Sequence, residues 1–238
     1  MNANIYWNIY NDYAEKIQNG GIPAGAKIPS ESELAETYGA SRETVRKALG
    51  LLSQNGYIHK VKGKGSFVLD LGRMKFPITG LISFKEMSEK MGRKSRTLVH
   101  KTERVPASRV IAGHLDIQQG ATVWEVIRSR EIEGERVILD KDYFLPERVE
   151  LLTPEIAGNS IYDYLEHTLN LSISYAKKEI SVEPATPEDR ALLDLNNLSH
   201  VVVVRNYVYL EDTTLFQYTE SRHRLDKFQF VDFARRVR

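Results

Sequence analysis

Apolar residues recur at helical spacing from the start of the chain. Tyr6, Ile9, Tyr10, Tyr13 and Ile17 fall on one stripe, which Asn19-Gly20-Gly21 ends. A second helix opens at Pro29-Ser30. Ser30 followed by Glu33 is a capping box, in which each side chain satisfies the other's free backbone N–H, and Leu34, Ala35 and Tyr38 form the inner face. Gly39-Ala40 turns the chain, and Ser41 caps a third helix whose apolar stripe (Val45, Ala48, Leu49, Leu52) runs to Asn55-Gly56. Helix, tight turn and helix make a helix-turn-helix layout. The period then falls to two: Tyr57 to Lys62 alternates as a strand, Gly63-Lys64-Gly65 permits a reversal, and Ser66 to Leu69 returns as a second strand, so this hairpin forms a wing.

Asp70-Leu71-Gly72-Arg73-Met74-Lys75-Phe76-Pro77 interrupts both periodicities and marks a junction. The expected division is a first domain over residues 1–71, a linking segment over 72–91 and a second domain over 92–238. In the second domain, strand-like composition covers Val123 to Glu131, Val137 to Leu145, Ile173 to Val182, His200 to Leu210 and Leu215 to His223. Helix starts are expected at Asn159-Ser160 and at Thr186-Pro187-Glu188-Asp189. The class is α+β, with an amino-terminal winged helix-turn-helix and a carboxy-terminal antiparallel sheet.

Composition narrows the function. With 238 residues, 42% of them hydrophobic and 27% charged, the chain can bury cores in two modest domains and is neither disordered nor fibrous. The longest aliphatic run is Val201 to Val204, and Met1-Asn2-Ala3-Asn4 has no signal-peptide character, so no membrane partner and a cytoplasmic location are expected. The absence of cysteine excludes disulfides and thiolate zinc sites. The six histidines show no metal-binding spacing and no nucleophile elbow is present, so neither cofactor nor metal nor enzymatic activity is expected.

The net charge of +1 hides an asymmetry: residues 41–75 carry eight basic side chains against two acidic ones. That block points to a polyanion, a solvated charged face being the alternative. Arg42, Glu43, Thr44, Arg46 and Lys47 face outward at the start of the third helix, the end that enters a major groove in such motifs. Arginine there is suited to guanine, through paired bonds to O6 and N7. Lys60, Lys62 and Lys64 suit phosphate contact from the wing, unless the hairpin is an ordinary surface one.

In the second domain, Arg128 and Arg130 share a strand face with Trp124 and Val126. They would hold an anion, or form salt bridges to acids such as Asp140 or Asp142. Ser160, a hydroxyl at a helix start, suits a phosphate or a plain cap. Gln217, Thr219, Ser221 and His223 share one side of their strand and could hold sugar hydroxyls or face water.

The strings Ile28-Pro29-Ser30-Glu31 and Ser41-Arg42-Glu43-Thr44-Val45-Arg46-Lys47-Ala48-Leu49, followed by Leu52, Gly56 and Gly63-Lys64-Gly65-Ser66-Phe67-Val68, closely resemble the GntR superfamily of winged-helix regulators. The resemblance implies that Arg42, Thr44 and Arg46, in the exposed run that includes Glu43, face operator bases and backbone. It implies that Lys62, Gly63 and Lys64 work from the wing and that Ser30 and Ser41 cap helices near phosphates. Many members carry arginine where Ser32 stands.

Residues 76–238 resemble, more loosely, the effector (UTRA) domain of the HutC branch, which has a chorismate-lyase-like fold and binds ligands without turnover. By that resemblance Lys85, Arg128, Arg130, Ser160 and Tyr162 hold a phosphate, while Asp140, Gln217 and His223 take sugar hydroxyls. Phe84 lies with Lys85 in a ligand-responsive loop. Lys85 and Gln217 replace the serine and glutamate of amino-sugar-phosphate sensors. Trp124 to Arg130, Ile138 to Phe144 and Phe216 to Arg224 look like the trehalose-operon members of the branch. A homodimeric repressor, released from operator DNA by trehalose 6-phosphate, is what the resemblance implies. Another sugar phosphate, an activator and a lyase-like enzyme are the alternatives.

Overall fold

The amphipathic stripes close on one another. In the computed structural model, which describes residues 3–69, 84, 85, 88, 92 and 94–230, the chain divides into two compact units, one amino-terminal and one running to Phe230. The expected junction at 70–77 and nearly all of the 72–91 segment lie outside the described residues.

The first unit comprises α1 (Ala3–Gln18), β1 (Lys27–Ile28), α2 (Glu31–Tyr38), α3 (Arg42–Gln54), β2 (Ile58–Val61) and β3 (Gly65–Val68). Its core joins Ile9, Tyr13, Ala14 and Ile17 of α1 to Leu34 of α2 and to Val45, Ala48, Leu49 and Leu52 of α3, with Ile28, Ile58 and Val68 from the sheet. These are the residues of the helical stripes. The capping box at Ser30 and Glu33 is formed, and Gly39 ends α2 in the left-handed region (φ 57°). Ser41 caps α3 by accepting the Thr44 N–H. The sheet has the order β1-β3-β2. Its wing turns through Gly63 (φ 75°) and Gly65 (φ 108°), conformations that an L side chain resists.

The second unit is built on a six-stranded antiparallel sheet. It contains β4 (Ser95–Pro106), α4 (Arg109–Leu115), β5 (Thr122–Ile132), β6 (Glu135–Phe144), α5 (Pro154–Gly158), α6 (Ile161–Asp163), a π-helical turn (Tyr164–Thr168), β7 (Ile173–Pro184), α7 (Pro187–Leu192), β8 (His200–Leu210) and β9 (Leu215–Arg224). The sheet order is β4-β5-β6-β9-β8-β7. The five expected strands are present, with ends that coincide or differ by one or two residues. Thr186 caps α7 in a second capping box, closed by Asp189.

The structure also contains what periodicity did not predict. β4 is an edge strand whose Arg96, His100, Lys101, Glu103 and Arg104 mask its alternation, and polar edges are how sheets avoid further pairing. The helix expected from Asn159-Ser160 is only three residues of α6 followed by the π turn. Phe84 and Lys85, expected in a loop, are helical.

One sheet face packs Trp124, Val126, Phe144, Val208 and Phe216 against Ala157, Ile161 and Leu165 of the α5–α6 region. The other face supports α4 and α7 through separate clusters around Tyr143 and Tyr218 and around Leu139 and Val203. The first face carries an opening, lined in part by Arg128, Ser160 and Tyr162.

A Cβ added at Gly65 would lie 2.8 Å from Lys27 Cε, besides the cost of its positive φ. Gly65→Ala should therefore destabilise the first unit by about 1–2 kcal/mol, with faster hydrogen exchange of the β2 and β3 amides as the readout.

Candidate functional site

Two surfaces carry chemistry, one in each unit. In the first, Arg42, Glu43, Arg46 and Lys47 are exposed at the start of α3, and Thr44 is half-buried. The Ser41 hydroxyl is 2.8 Å from that of Thr44, which holds both at the helix start. Arg46 is tethered by Glu31, with Nη2 to Oε2 at 3.1 Å. Lys47 lies over the Tyr6 ring, 4.0 Å from its centroid. Lys60, Lys62, Gly63 and Lys64 are exposed on the wing, and Ser30 and Ser32 are exposed at the start of α2. Over residues 41–69 six cations face one carboxylate, Glu43. Exposed cations beside a helix start form a surface that attracts a phosphate backbone. Arg73 and Lys75 of the basic block lie outside the described residues.

In the second unit, a cavity of about 200 Å³ opens on the sheet face under α5 and α6. Phe84, Lys85, Arg128, Arg130, Asp140, Ser160, Tyr162, Gln217 and His223 all line it, so the structure brings the nine residues named from sequence to one place. Strand register explains the convergence. Arg128 stands opposite Asp140, which stands opposite Ser221. One step along the strands, Val126, Asp142, Thr219 and Asn206 form the neighbouring row.

The arginines do pair with acids, and they do so within the cavity wall. Arg128 Nη2 donates to Asp142 Oδ2 at 2.6 Å, and Arg130 Nε donates to Asp140 Oδ2 at 2.7 Å. Each pair is diagonal across β5 and β6, within reach of long side chains. The four residues are 3–8% exposed, and buried ions persist only where geometry and further hydrogen bonds are good. Those bonds are present: Arg128 Nη1 to the Ala157 carbonyl, Arg130 Nη1 to Thr97, Ser221 to Asp140, and Thr219 and Gln217 to Asp142.

Burial works against the charge on Asp140, but Arg130 and Arg128 hold its carboxyl below the usual range. Burial, with the charge of Arg128, also pulls Arg130 down, yet guanidinium basicity is high enough that the pair stays ionised.

Around these pairs the wall is uncharged or poised. Burial pushes the His223 imidazole down to about 4, opposed by Asp140, so it is neutral near pH 7. Burial raises the Tyr162 hydroxyl, leaving it protonated and able to donate. Phe84 lies on the Arg130 guanidinium at 4.8 Å. Lys85 reaches Asn159 Oδ1 at 3.1 Å and is exposed at the rim. Ser160 Oγ accepts the Asp163 N–H, so it is a helix cap that also borders the cavity.

Sequence reasoning named Asp142 only as a possible salt-bridge partner and did not single out Asn159 or Asn206, which also line the cavity. A lone amide in the valine-rich strand from His200 was the available signal for Asn206. The donors suit an anion and the polar row suits hydroxyls. Among the described residues no cluster could hold a metal ion, and no helix is long and apolar enough to cross a membrane.

Comparison with known proteins assigns a family to each unit. Residues 5–68 match the model for bacterial regulatory proteins of the gntR family, and residues 90–229 match that of the UTRA domain. The chain is 58% identical over 236 residues, 99% of each chain, to the HTH-type transcriptional regulator TreR of Bacillus subtilis. It is 28% identical over 233 residues, 98% of this chain and 96% of the other, to the transcriptional repressor NagR of the same organism. The solved effector-binding domain of the B. subtilis trehalose repressor superposes with a TM-score of 0.56 at 63% identity, covering 60% of this chain and 99% of that one. The B. subtilis regulator YydK shares the fold over 97% of this chain and 99% of its own, with a TM-score of 0.79 and 24% identity.

The buried pairs make a testable claim about stability. Asp142→Leu leaves Arg128 charged and unpaired and should cost about 3–5 kcal/mol, whereas Arg128→Met combined with Asp142→Leu should recover most of that loss. Urea denaturation of the three proteins measures the cycle.

Proposed function

Because the chain belongs to the gntR family of bacterial regulatory proteins and carries a UTRA domain, we propose that it is an inducible repressor of trehalose uptake and breakdown genes. The first unit binds operator DNA, and trehalose 6-phosphate bound in the second releases it. The observation that carries this reading is the cavity wall itself, where two buried arginines, a rim lysine and a protonated tyrosine converge beside a row of hydroxyl and amide groups. The 58% identity to TreR over the full chain supports trehalose as the sugar.

The division of labour follows from charge. Each arginine already shares its charge with an aspartate, so the wall is close to neutral and accepts a phosphate through unused N–H groups. Lys85 has no carboxylate partner among the described residues and supplies the additional positive charge. Tyr162 and Ser160 donate hydroxyl hydrogens, and Asp140, Gln217 and His223 meet sugar hydroxyls. A charge-assisted bond to phosphate is about twice as strong as a neutral one. Arg42 and Thr44 read the operator, Arg46 and the wing residues Lys62, Gly63 and Lys64 hold its backbone, and Ser30 and Ser41 set the helix starts against phosphates. Glu43 excludes mismatched bases by its charge. A homodimer presents two such surfaces to a two-fold operator.

In a gel-shift titration, millimolar trehalose 6-phosphate should release the wild-type protein from operator DNA; unchanged binding would sink the reading. Lys85→Ala and Tyr162→Phe should each require about tenfold more inducer while binding DNA normally. Arg42→Ala should lower discrimination between operator and non-operator DNA by about tenfold or more, with induction of the residual complex retained.

A further inference from the structure

Four buried side-chain polar atoms of the described residues have no hydrogen-bond partner: Thr102 Oγ1, Arg128 Nε, Asn206 Oδ1 and Gln217 Oε1. Proteins pair nearly all such atoms, so each exception calls for a reason. Three of the four residues line the cavity. They divide by polarity, since Arg128 Nε is a donor and the two amide oxygens are acceptors.

The orientation of Gln217 is fixed by its neighbours. Its Nε2 donates to Asp142 Oδ1 at 3.1 Å and to Thr219 Oγ1 at 2.8 Å. The Thr219 hydroxyl spends its own hydrogen on Asp142, at 2.8 Å. Turning the amide over would set its oxygen against a carboxylate, so Oε1 stays unpaired. Asn206 lies on β8 directly opposite Thr219, with Asp142 and Val126 next along the same row. Between the β5 backbone that carries Arg128 and the β8 backbone that carries Asn206 are three strand spacings, roughly 14 Å.

We infer that Asn206 and Gln217 form a second sugar subsite, which accepts hydroxyl hydrogens from the ring remote from the phosphate and so selects a disaccharide phosphate over a hexose phosphate. The inference rests on the proposed function, which places phosphate at the arginine end. Acceptors backed by the Asp142 carboxylate repel phosphate oxygens, so the ligand enters in one orientation only. A hexose phosphate anchored on β5 leaves the Asn206 oxygen unpaired, whereas a second ring extends toward it.

Calorimetric titration of the full chain with trehalose 6-phosphate and with glucose 6-phosphate tests this. Asn206→Leu keeps the branching of the side chain but removes the acceptor. It should lose about tenfold or more in affinity for trehalose 6-phosphate and change less than twofold for glucose 6-phosphate, whose binding also reports that the variant is folded. Asn206→Thr, which retains an acceptor oxygen and favours strands, should recover part of the loss. Equal losses for both ligands, or none for the disaccharide phosphate, would overturn the subsite while leaving the phosphate site standing. Failure of the wild type to bind either ligand would remove the proposed function and the subsite together.

Discussion

Two guanidiniums and two carboxylates are buried on one face of an antiparallel sheet, and the second unit is organised around keeping them paired. An ion taken out of water costs several kcal/mol even after relaxation. The Arg128–Asp142 and Arg130–Asp140 pairs therefore need β5 and β6 in one register. The hairpin between them supplies it, through Glu133 (φ 54°) and Gly134 (φ 85°), two consecutive left-handed residues that match the twist of the flanking strands. A slip of one residue in either strand would turn that strand's two charges to the opposite face, where α4 and α7 pack, and leave the other two unpaired. β9 then completes both carboxylates with Ser221, Thr219 and Gln217. Because an apolar pair of similar volume would often be as stable, stability alone does not account for the arrangement. A wall that is charged, ordered and nearly neutral before any ligand arrives is suited to binding an anion without first reorganising.

Local signals were legible in the sequence wherever one residue type has one physical use. Ser30 with Glu33, and Thr186 with Asp189, form the capping boxes expected of them. The apolar stripes of the first seventy residues became the first core, and β-branched runs became strands. Polar side chains obscured β4, whose alternation is hidden because an edge strand needs no second buried neighbour. The region from Pro154 to Thr168 was hard to read for another reason: five helical residues, then three, then a π turn are too short for a 3.6-residue period to emerge.

The cavity was partly legible. Arginines beside apolar neighbours on a strand, and a row of polar residues at spacing two, identify residues that share a face. Which carboxylate meets which arginine depends on register between strands, and composition does not carry that. Asp142 thus stood as one of two interchangeable acids, although the structure gives it the heavier load of Arg128, Thr219 and Gln217. Asn206 was harder still, because its significance lies in an unmade bond.

How binding in this cavity reaches DNA, in the proposed reading, is constrained by linkage: an inducer shifts an equilibrium only by its difference in affinity between two arrangements. Most of the wall cannot supply that difference. Arg128, Asp140, Asp142 and Gln217 are fixed by the sheet and by one another, and they would bind a ligand equally well in any arrangement of the rest. Phe84 and Lys85 are different. Phe84 lies on the Arg130 guanidinium and packs against Ile132, Val137 and Ile138, Lys85 reaches Asn159 from an exposed position, and Arg130 and Asn159 both border the space a phosphate would enter. They are also the cavity residues nearest in sequence to the DNA-binding unit. In that reading, a phosphate that draws Lys85 from Asn159 or alters the seat of Phe84 on Arg130 acts on the side chains of the wall that the sheet register does not fix, and differential affinity would be concentrated there.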